Sequence, residues 1–510
     1  MSKKKGEGLK SFNRGFNVPD TYIIIFFVVL FAALLTWAVP VGKFETHEIK
    51  YTMGSTEKSR NVLVPESFRY ELDKEGKPVV KGVRLFEPYG ATGILNYAFE
   101  GLVSGDKWGS AVGVVAFILI GGGAFGIVLR TGAVESGMKR MIKKTKGMDT
   151  LIIPVLFFLF SLGGAVFGMG EEAIPFVFIV VPVVIALGYD SIVAVMITYC
   201  ATQIGFGASW MNPFSVAIAQ GIAQIPVLSG SGFRLFMWFF FTLLGTLYTW
   251  RYAVKIRKNP DLSPVRASDQ YFRDELAAAG DTDEKFGTGD ILVILTITLG
   301  MVWTIWGVVE KGYYIPEIAS QFFVMGLVSG VIGVVFKLNG MKVNDIAVSF
   351  RAGASDLLGA AIVVGMAKGI ILVLGGDSPT EPTVLNTVLH NVGLMISGLS
   401  PVISAWLMYL FQSIFNFFVV SGSGQAALTM PLMAPLADIA GVTRQVAVLA
   451  FQLGDGFTNL IVPTSAVMMA SIGAARIDWA TWAKWQIKFQ GVLFLFGSIF
   501  VVAAVMIGFN

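Results

Sequence analysis

Residues 151–188 read LIIPVLFFLFSLGGAVFGMGEEAIPFVFIVVPVVIALG: two apolar arms that meet at a glycine-rich turn carrying Glu171 and Glu172. Residues 401–440, PVISAWLMYLFQSIFNFFVVSGSGQAALTMPLMAPLADIA, repeat this arrangement around the turn 421–425. Each arm is shorter than the ~20 residues that a membrane-crossing helix needs. The turns consist of glycine, serine and apolar residues, which suit burial rather than exposure. We therefore predict two re-entrant hairpins, although loop charge alone also allows each to be two true spans.

The composition indicates that most of this chain is embedded in a lipid bilayer. Of 510 residues, 55% are apolar and 14% are charged, against about a quarter charged in soluble proteins. This composition excludes a soluble enzyme, a disordered protein and a nucleic-acid binder. A single cysteine, Cys200, excludes a disulfide framework and a cysteine-built metal site, and two histidines, His47 and His390, are too few for a conventional zinc site. We predict a multi-pass membrane protein that is not an enzyme and has no cofactor.

Apolar runs outside the two hairpins predict the full spans. Because Lys3, Lys4 and Lys5 precede the run 21–42, we expect a cytoplasmic tail at 1–20 rather than a cleavable signal. The predicted outer loops 222–233 and 376–400 contain no Lys or Arg, in agreement with that orientation. We predict spans near 21–42, 109–130, 190–221, 234–252, 289–308, 318–337, 354–375, 443–470 and 488–508.

Two polar loops complete the predicted topology. The loop 43–108 is expected outside the membrane, with short alternating segments at 62–64 and 79–85 that predict a small β-rich cap. The loop 256–287 is expected in the cytoplasm and without regular structure.

The two halves of the chain resemble each other. Gln203–Gly207 (QIGFG) recurs as Gln452–Gly456 (QLGDG), and Gly168–Glu171 (GMGE) recurs as Gly422–Gln425 (GSGQ). Because each copy has four spans and the copies are joined by one further span, the second copy should be inverted. We predict an all-α polytopic protein of inverted repeats, each with a re-entrant hairpin and a broken transmembrane helix. The predicted divisions are the first repeat 21–252 (outer loop 43–108, hairpin 151–188, broken helix 190–221), the cytoplasmic loop and linker span 253–317, and the second repeat 318–510 (hairpin 401–440, broken helix 443–470).

The hairpin turns and helix interruptions are the predicted binding region. Interrupted backbone at membrane depth is tolerated where it is buried in protein or lines a cavity. Glycine permits unwinding and Pro213 and Pro463 prevent normal helix, so freed carbonyls and helix N-termini become available to cations and carboxylates. The alternative is that the glycines and hydroxyls only pack helices together. The candidate binding residues are Gly170, Glu171, Glu172, Gln203, Gly205, Gly207, Ser209, Asn212, Lys368, Ser421, Ser423, Gln425, Asp455, Thr458, Asn459, Thr464 and Ser465.

Charges inside the apolar segments are scarce, and each calls for a function or a partner. Glu171 and Asp455 are predicted to bind a cation, whereas Glu172 has the alternative of a structural hydrogen bond to nearby backbone. Lys368 is predicted to face the cavity, where it holds a substrate carboxylate or pairs with Asp455; its alternative is snorkelling to the outer surface. Three acids against one base predict a site for Na⁺, a proton or an ammonium-bearing substrate, with Na⁺ at the hairpin turns and broken helices.

Four long motifs resemble the bacterial YfcC family, which is grouped with the anaerobic C4-dicarboxylate carriers and the arginine/ornithine antiporters of the ion-transporter superfamily. They are 161–172 (SLGGAVFGMGEE), 201–214 (ATQIGFGASWMNPF), 421–431 (SGSGQAALTMP) and 451–459 (FQLGDGFTN). The resemblance implies a scaffold domain, a homodimer, and a transport domain that moves as an elevator. Members are described as basic amino-acid antiporters. The glycine-rich turns differ from the Ser-Asn-Thr turns of sodium/dicarboxylate symporters, which puts simple sodium coupling in doubt.

From these observations we predict a secondary active transporter of the bacterial inner membrane that moves a small amino acid or carboxylate. Exchange of a basic amino acid is the first hypothesis, because the core acids outnumber the core base. Transport of a C4-dicarboxylate, either ion-coupled or by exchange, is the second. An ion channel and a membrane-embedded enzyme are the alternatives from other classes.

Overall fold

The computed structural model describes residues 21–53, 56–107, 111–134, 136–137, 151–212, 215–278, 286–311, 313 and 315–510. The predicted tail 1–20 lies outside the described residues, and so does Pro213.

Outside the outer loop, the described part of the first half is mainly helical. A short π-helical turn at Met196–Cys200 interrupts the sixth helix. The helices are α1 Thr21–Ala38, α2 Tyr97–Val103, α3 Ala111–Arg130, α4 Ile152–Phe167, α5 Ala173–Ala186, α6 Ser191–Gly207, α7 Val216–Ile222 and α8 Ser231–Lys258.

The second half follows the same pattern. Between the halves lie α9 Gln270–Ala278 and α10 Thr288–Lys311. The remaining helices are α11 Ile315–Val335, α12 Val343–Asp356, α13 Leu358–Val373, α14 Val384–Ile396, α15 Pro401–Phe415, α16 Gly422–Ile439, α17 Arg444–Thr458, α18 Ala466–Ala474 and α19 Trp479–Met506.

Each predicted span coincides with helix, but few of these helices are long and apolar along their whole length. Among the described residues, α3, α11 and α19 are long and apolar enough to cross a membrane alone. A fourth crossing arises if Val343–Asp356 and Ala361–Val373, which meet at a bend of 42°, form one span. The predicted hairpin 151–188 is the pair α4 and α5, and the predicted hairpin 401–440 is the pair α15 and α16.

Contacts between helices recur in the two halves. The first arm of each hairpin packs on the broken helix of its own half: α4 packs on α6, and α15 packs on α17. The second arm of each hairpin contacts a short helix of the other half: α5 contacts α18, and α16 contacts α7. In the same way α2 packs on α13, and α12 packs on α3. Glycines make the last pair of contacts close: a Cβ on Gly101 would lie 2.1 Å from the Gly365 carbonyl oxygen, and one on Gly353 would lie 2.2 Å from that of Gly122. Small residues therefore bring these helices to backbone contact, as they commonly do in membranes.

The outer loop contains less strand than its sequence predicts. β2 (Thr46–Met53) and β3 (Thr56–Leu63) form an antiparallel hairpin, and β1 (Gly42–Lys43) pairs with β4 (Arg69–Tyr70). Residues 79–85 form no strand, because backbone hydrogen bonds to neighbouring segments are made only at the two ends, by Val79 and by Arg84 and Leu85. The loop 256–287, expected to be irregular, contains α9.

Candidate functional site

The first hairpin turn brings two carboxylates to the start of α5. The turn begins at Gly168, which adopts a left-handed conformation with φ 67°. Glu172 is buried, and its Oε2 accepts a hydrogen bond from the Gly170 amide at 2.9 Å. The structure thus shows the backbone hydrogen bond that was the alternative explanation for Glu172. Glu171 beside it is half-buried.

The second hairpin turn packs against Asp455, the acid of the second broken helix. Ser421 is exposed and caps α16, because its Oγ accepts a hydrogen bond from the Gly424 amide at 3.2 Å. Ser423 is half-buried. A Cβ on Gly422 would lie 3.1 Å from Asp455 Oδ2. Only a small residue in this turn allows it to approach the carboxylate so closely.

Asp455 is fully buried in α17, and neither carboxylate oxygen accepts a hydrogen bond of normal geometry from the described residues. Asn416 donates to the Asp455 backbone carbonyl at 3.1 Å and to Asn459 Oδ1 at 2.8 Å. The Asn459 amide nitrogen is directed at Gln203 Oε1, 3.5 Å away. Asn416 Oδ1 also lacks a donor. Since an isolated buried charge is costly, Asp455 requires a proton or a cationic ligand.

A second buried amide, Gln425, lies three residues after Gly422, the residue of the turn that approaches this carboxylate. Gln425 donates to Oε1 and to the backbone carbonyl of Gln412 at 2.7 and 2.9 Å, and Gln412 donates to Thr429 Oγ1 at 2.9 Å. Gly454, next to Asp455, packs against the Cβ of Gln412. Gln425 Oε1 has no donor among the described residues. Sequence reasoning identified Gln425 but missed Gln412 and Thr429, since uncharged polar residues in an apolar arm are a weak signal.

Asp455, Asn416 and Gln425 therefore form an acceptor cluster, a name kept below for these three residues. Their four unsatisfied oxygens are buried on α15, α16 and α17, which pack on one another. An excess of acceptors fits a ligand that supplies N–H donors or positive charge. It does not fit a carboxylate.

Tyr199 connects the acids of the two halves. It is fully buried, and its hydroxyl donates to the Asn459 backbone carbonyl at 2.8 Å. It lies within electrostatic range of both Asp455 and Glu171. Glu171 of the first hairpin turn and Asp455 of the acceptor cluster therefore both interact with this one buried side chain.

The glycines of the broken helices do not unwind them. Gly205 and Gly454 lie inside regular helix, where a Cβ on Gly205 would be 1.9 Å from the Ser161 carbonyl oxygen. Gly207 and Gly456 meet where the two broken helices cross, and a Cβ on Gly456 would be 2.3 Å from Gly207 Cα. The prediction that these glycines permit unwinding was wrong for Gly205, Gly454 and Gly456, which all lie inside helix. Their physical role is to allow backbones to touch.

The polar residues of the first break hold it in place. Ser209 Oγ donates to the Ala165 carbonyl at 2.6 Å and accepts from the Asn212 amide at 2.7 Å. Asn212 Oδ1 accepts from the Ser215 amide at 3.2 Å, just before α7 begins. Both side chains are buried in contacts with backbone.

The second break offers one further unsatisfied group. Ser465 caps α18 by accepting a hydrogen bond from the Met468 amide at 3.4 Å. Thr458 is half-buried at the end of α17. Thr464 Oγ1 is buried without a partner among the described residues.

Lys368 does not pair with Asp455. Its Nζ donates to Asp377 Oδ2 at 2.8 Å, and the two side chains are 25% and 42% exposed. Because α13 ends at Val373, the long lysine side chain reaches the acid in the following loop. Lys368 thus pairs with a loop carboxylate, as the alternative of snorkelling would require, and it lies outside the acceptor cluster.

Sequence reasoning missed a fully buried cation, Arg234, in the first turn of α8. Its guanidinium donates to Gln452 Oε1, Gln445 Oε1 and the Ser229 carbonyl, each at 2.9 Å. Arg234 is the first residue of the predicted span 234–252, where a charge is expected and gives no signal of burial. It is instead a buried cation that joins the start of α8 to α17 and to the preceding loop.

Comparison with known proteins gives matches along nearly the whole chain. The family model described as "DcuC: C4-dicarboxylate anaerobic carrier" matches residues 18–506. An Escherichia coli (strain K12) protein named "Putative basic amino acid antiporter YfcC" is 52% identical over 499 residues, 98% of each chain. An uncharacterized protein of Haemophilus influenzae is 30% identical over 519 residues, 96% of this chain and 97% of that protein. Among solved structures, Neisseria gonorrhoeae MtrF, titled a member of a class of antimetabolite efflux pumps, aligns with a TM-score of 0.40, 16% identity and 96% coverage of both chains.

Proposed function

The chain belongs to the C4-dicarboxylate anaerobic carrier family of multi-pass membrane transporters, and we propose that it exchanges basic amino acids across the bacterial inner membrane. The observation that carries this proposal is the acceptor cluster. A buried carboxylate and two amide oxygens, all without donors among the described residues, match an ammonium or guanidinium group, which has three or five N–H donors.

The same cluster argues against a C4-dicarboxylate as the substrate. A dicarboxylate has acceptors only, and placing it beside buried Asp455 would add like-charge repulsion to the cost of desolvation. The basic side chain of an amino acid would instead neutralise Asp455. Its α-carboxylate could then be met by a helix N-terminus, such as that of α16 at Ser421 or of α18 at Ser465.

Alternating access in this proposal uses two inverted repeats, 21–252 and 318–510, each with a re-entrant hairpin and a broken helix. The recurring contacts of α4 with α6 and α15 with α17 support the repeat. The hairpins and broken helices would move together against a scaffold that includes α3 and α11–α13, in a homodimer. The proposed binding region comprises the acceptor cluster, Glu171 and the hairpin turns.

Counterflow in proteoliposomes tests the substrate. Purified protein is reconstituted in vesicles preloaded with unlabelled arginine, lysine, ornithine or succinate, and entry of labelled arginine is measured. We expect the three basic amino acids to drive entry and succinate not to. Entry of labelled succinate against internal succinate, with no arginine exchange, would overturn the proposal.

Asp455→Asn tests the site. Amidation removes the charge and one charge-assisted hydrogen bond worth roughly 1.5–3 kcal/mol, so apparent affinity should fall about ten- to a hundredfold. Glu171→Gln should act in the same direction and Glu172→Gln less, because Glu172 bonds to backbone. Asp438→Asn is the matched control, since Asp438 is half-exposed and pairs with Arg444. Equal affinities in Asp455→Asn and in this control would exclude the acceptor cluster as the site.

A further inference from the structure

The carbonyl groups freed at the first helix break are already occupied by a side chain. α6 ends at Gly207, and the carbonyls of Gly207 and Ser209 have no partner in the helix ladder. Gln452 Nε2, from the other broken helix, donates to both at 3.0 and 2.8 Å. A single amide nitrogen therefore holds the two oxygens that a coupling cation would otherwise coordinate.

That amide is held in turn by a positive charge. Gln452 Oε1 accepts a hydrogen bond from Arg234 Nε at 2.9 Å. The other hydrogen bonds of Arg234 go to neutral oxygens, on Gln445 and Ser229, so these contacts do not neutralise its charge. The C-terminal end of a helix carries partial negative charge. Arg234 thus polarises an amide whose N–H bonds point at the negative end of α6.

At the second break, backbone carbonyls accept hydrogen bonds from uncharged aromatic side chains. The Asn459 carbonyl accepts from the Tyr199 hydroxyl at 2.8 Å, the Leu460 carbonyl from Trp482 Nε1 at 2.8 Å, and the Ile461 carbonyl from Trp479 Nε1 at 2.9 Å. Trp482 is the fourth residue of α19, as Arg234 is the fourth residue of α8. The second helix after each break therefore carries, at the same position, a side chain that bonds to a group of a broken helix.

We propose that Arg234, acting through the Gln452 amide, is a built-in cation for the first helix break, so that the carrier works without a sodium ion at its broken helices. Arg234 is then a positioning residue: it orients Gln452, and Gln452 joins the two broken helices where they cross at Gly207 and Gly456. Coupling is left to the exchanged substrate and to protons on the buried acids. The proposal does not depend on which substrate is carried.

Gln452→Glu is the sharpest test. Glutamate has nearly the size of glutamine and still accepts from Arg234, but it cannot donate to the two carbonyls and it adds a negative charge among them. Gln445→Glu is the matched control: Gln445 accepts from the same guanidinium at the same 2.9 Å, yet its amide nitrogen donates to Ser229 Oγ and not to the break. Unfolding temperatures are measured for the purified full chain in NaCl, KCl or choline chloride at one ionic strength.

We expect the wild-type chain and Gln445→Glu to unfold at the same temperature in all three salts. Gln452→Glu should unfold earlier, and sodium should selectively raise its unfolding temperature by ~2 °C or more, because a bound ion stabilises the folded state by mass action. A saturable sodium-specific stabilisation of the wild type would overturn the proposal. So would an identical response of Gln452→Glu and Gln445→Glu.

Arg234 is tested by conservative rescue. Arg234→Met should acquire the same sodium-specific stabilisation, and Arg234→Lys should show less of it, because lysine keeps the charge without the planar fork. If Arg234→Met does not fold, Arg234→Lys and Gln452→Met replace it in the same assay. Sodium-insensitive variants that differ from wild type only in overall stability would assign Arg234 a purely structural role and overturn the proposal.

Discussion

Asp269 is an acid whose pKa is raised mainly by burial. It lies in the loop between α8 and α9 and is fully buried, with Oδ2 accepting a hydrogen bond from the Ser191 amide at 3.1 Å. Burial raises the pKa of Asp269 to about 6; the neighbouring Asp190 also raises it, while the bond from Ser191 and the charge of Arg273 lower it. This carboxyl fastens the loop to the first turn of α6.

The raised pKa predicts how stability depends on pH. The folded pKa of Asp269 lies above its unfolded value of about 3.9, so its stabilising contribution is complete below pH ~4 and is lost as the pH rises through about 6. We expect the unfolding temperature of the wild type to fall over this interval and Asp269→Asn to flatten the profile. A thermal-unfolding series from pH 4 to pH 8 measures both.

Asp261→Asn is the control for that series, because Asp261 lies in the same loop but is 88% exposed and pairs with Arg266. Its pH profile should match the wild type. An Asp269→Asn profile that also matches the wild type would show that Asp269 does not titrate in this range.

At the scale of single residues, the sequence pointed to a buried acid where a charge contrasts with its surroundings; its binding role stays a prediction. Asp455 was predicted because an acid in an apolar run is rare. Arg234 was missed because it stands at the edge of its run, and Asn416 because an amide carries no charge. Gly205 was assigned the wrong role, since a glycine that permits unwinding and a glycine that permits close packing have the same sequence signature.

Among the elements, the arms of the hairpins were predictable and the short connecting helices were not. Glycine-rich turns between apolar arms predicted α4–α5 and α15–α16. α2 and α12 were missed because they are held by contacts distant in sequence, such as the backbone contact of Gly126 with Ser349. The residue pattern of one segment cannot show which distant segment of the chain that segment will contact.

Thiol accessibility tests whether the hairpins are re-entrant. Gly170→Cys and Ser423→Cys, each on a Cys200→Ser background, place one thiol in each turn; no atom lies within 4 Å of a Cβ at Gly170, and serine and cysteine are similar in size. Turns buried at membrane depth should react slowly with impermeant maleimides added to either side of the membrane. Rates are compared with a cysteine at exposed Glu75 as the fast reference.

A different result would refute the hairpins. If the two arms of each pair were full spans, the turns would be solvent-exposed on opposite faces of the membrane. Gly170→Cys and Ser423→Cys would then label as fast as the reference, each from one side.

For the whole molecule, the elevator hypothesis requires the first hairpin to slide past α3. Phe125 on α3 and Phe178 on α5 stack with ring centroids 5.6 Å apart and planes at 2°. α3 is fixed to α12 through glycine contacts such as that of Gly122 with Gly353, so it belongs to the proposed scaffold. The Phe125–Phe178 contact should therefore break and re-form in each cycle.

A covalent link at this contact should stop exchange. Phe125→Cys and Phe178→Cys are combined on the Cys200→Ser background, joined with a short cleavable bifunctional thiol reagent, and assayed for counterflow before and after reduction. The control joins Phe160→Cys to Phe176→Cys, whose rings are 4.9 Å apart in the two arms of one hairpin. Because those arms would move as one body, we expect the control to retain exchange while the α3–α5 link abolishes it and reduction restores it. Full exchange by the linked α3–α5 protein would mean that the hairpin stays fixed to α3, and access would then have to alternate by movement of the turns alone.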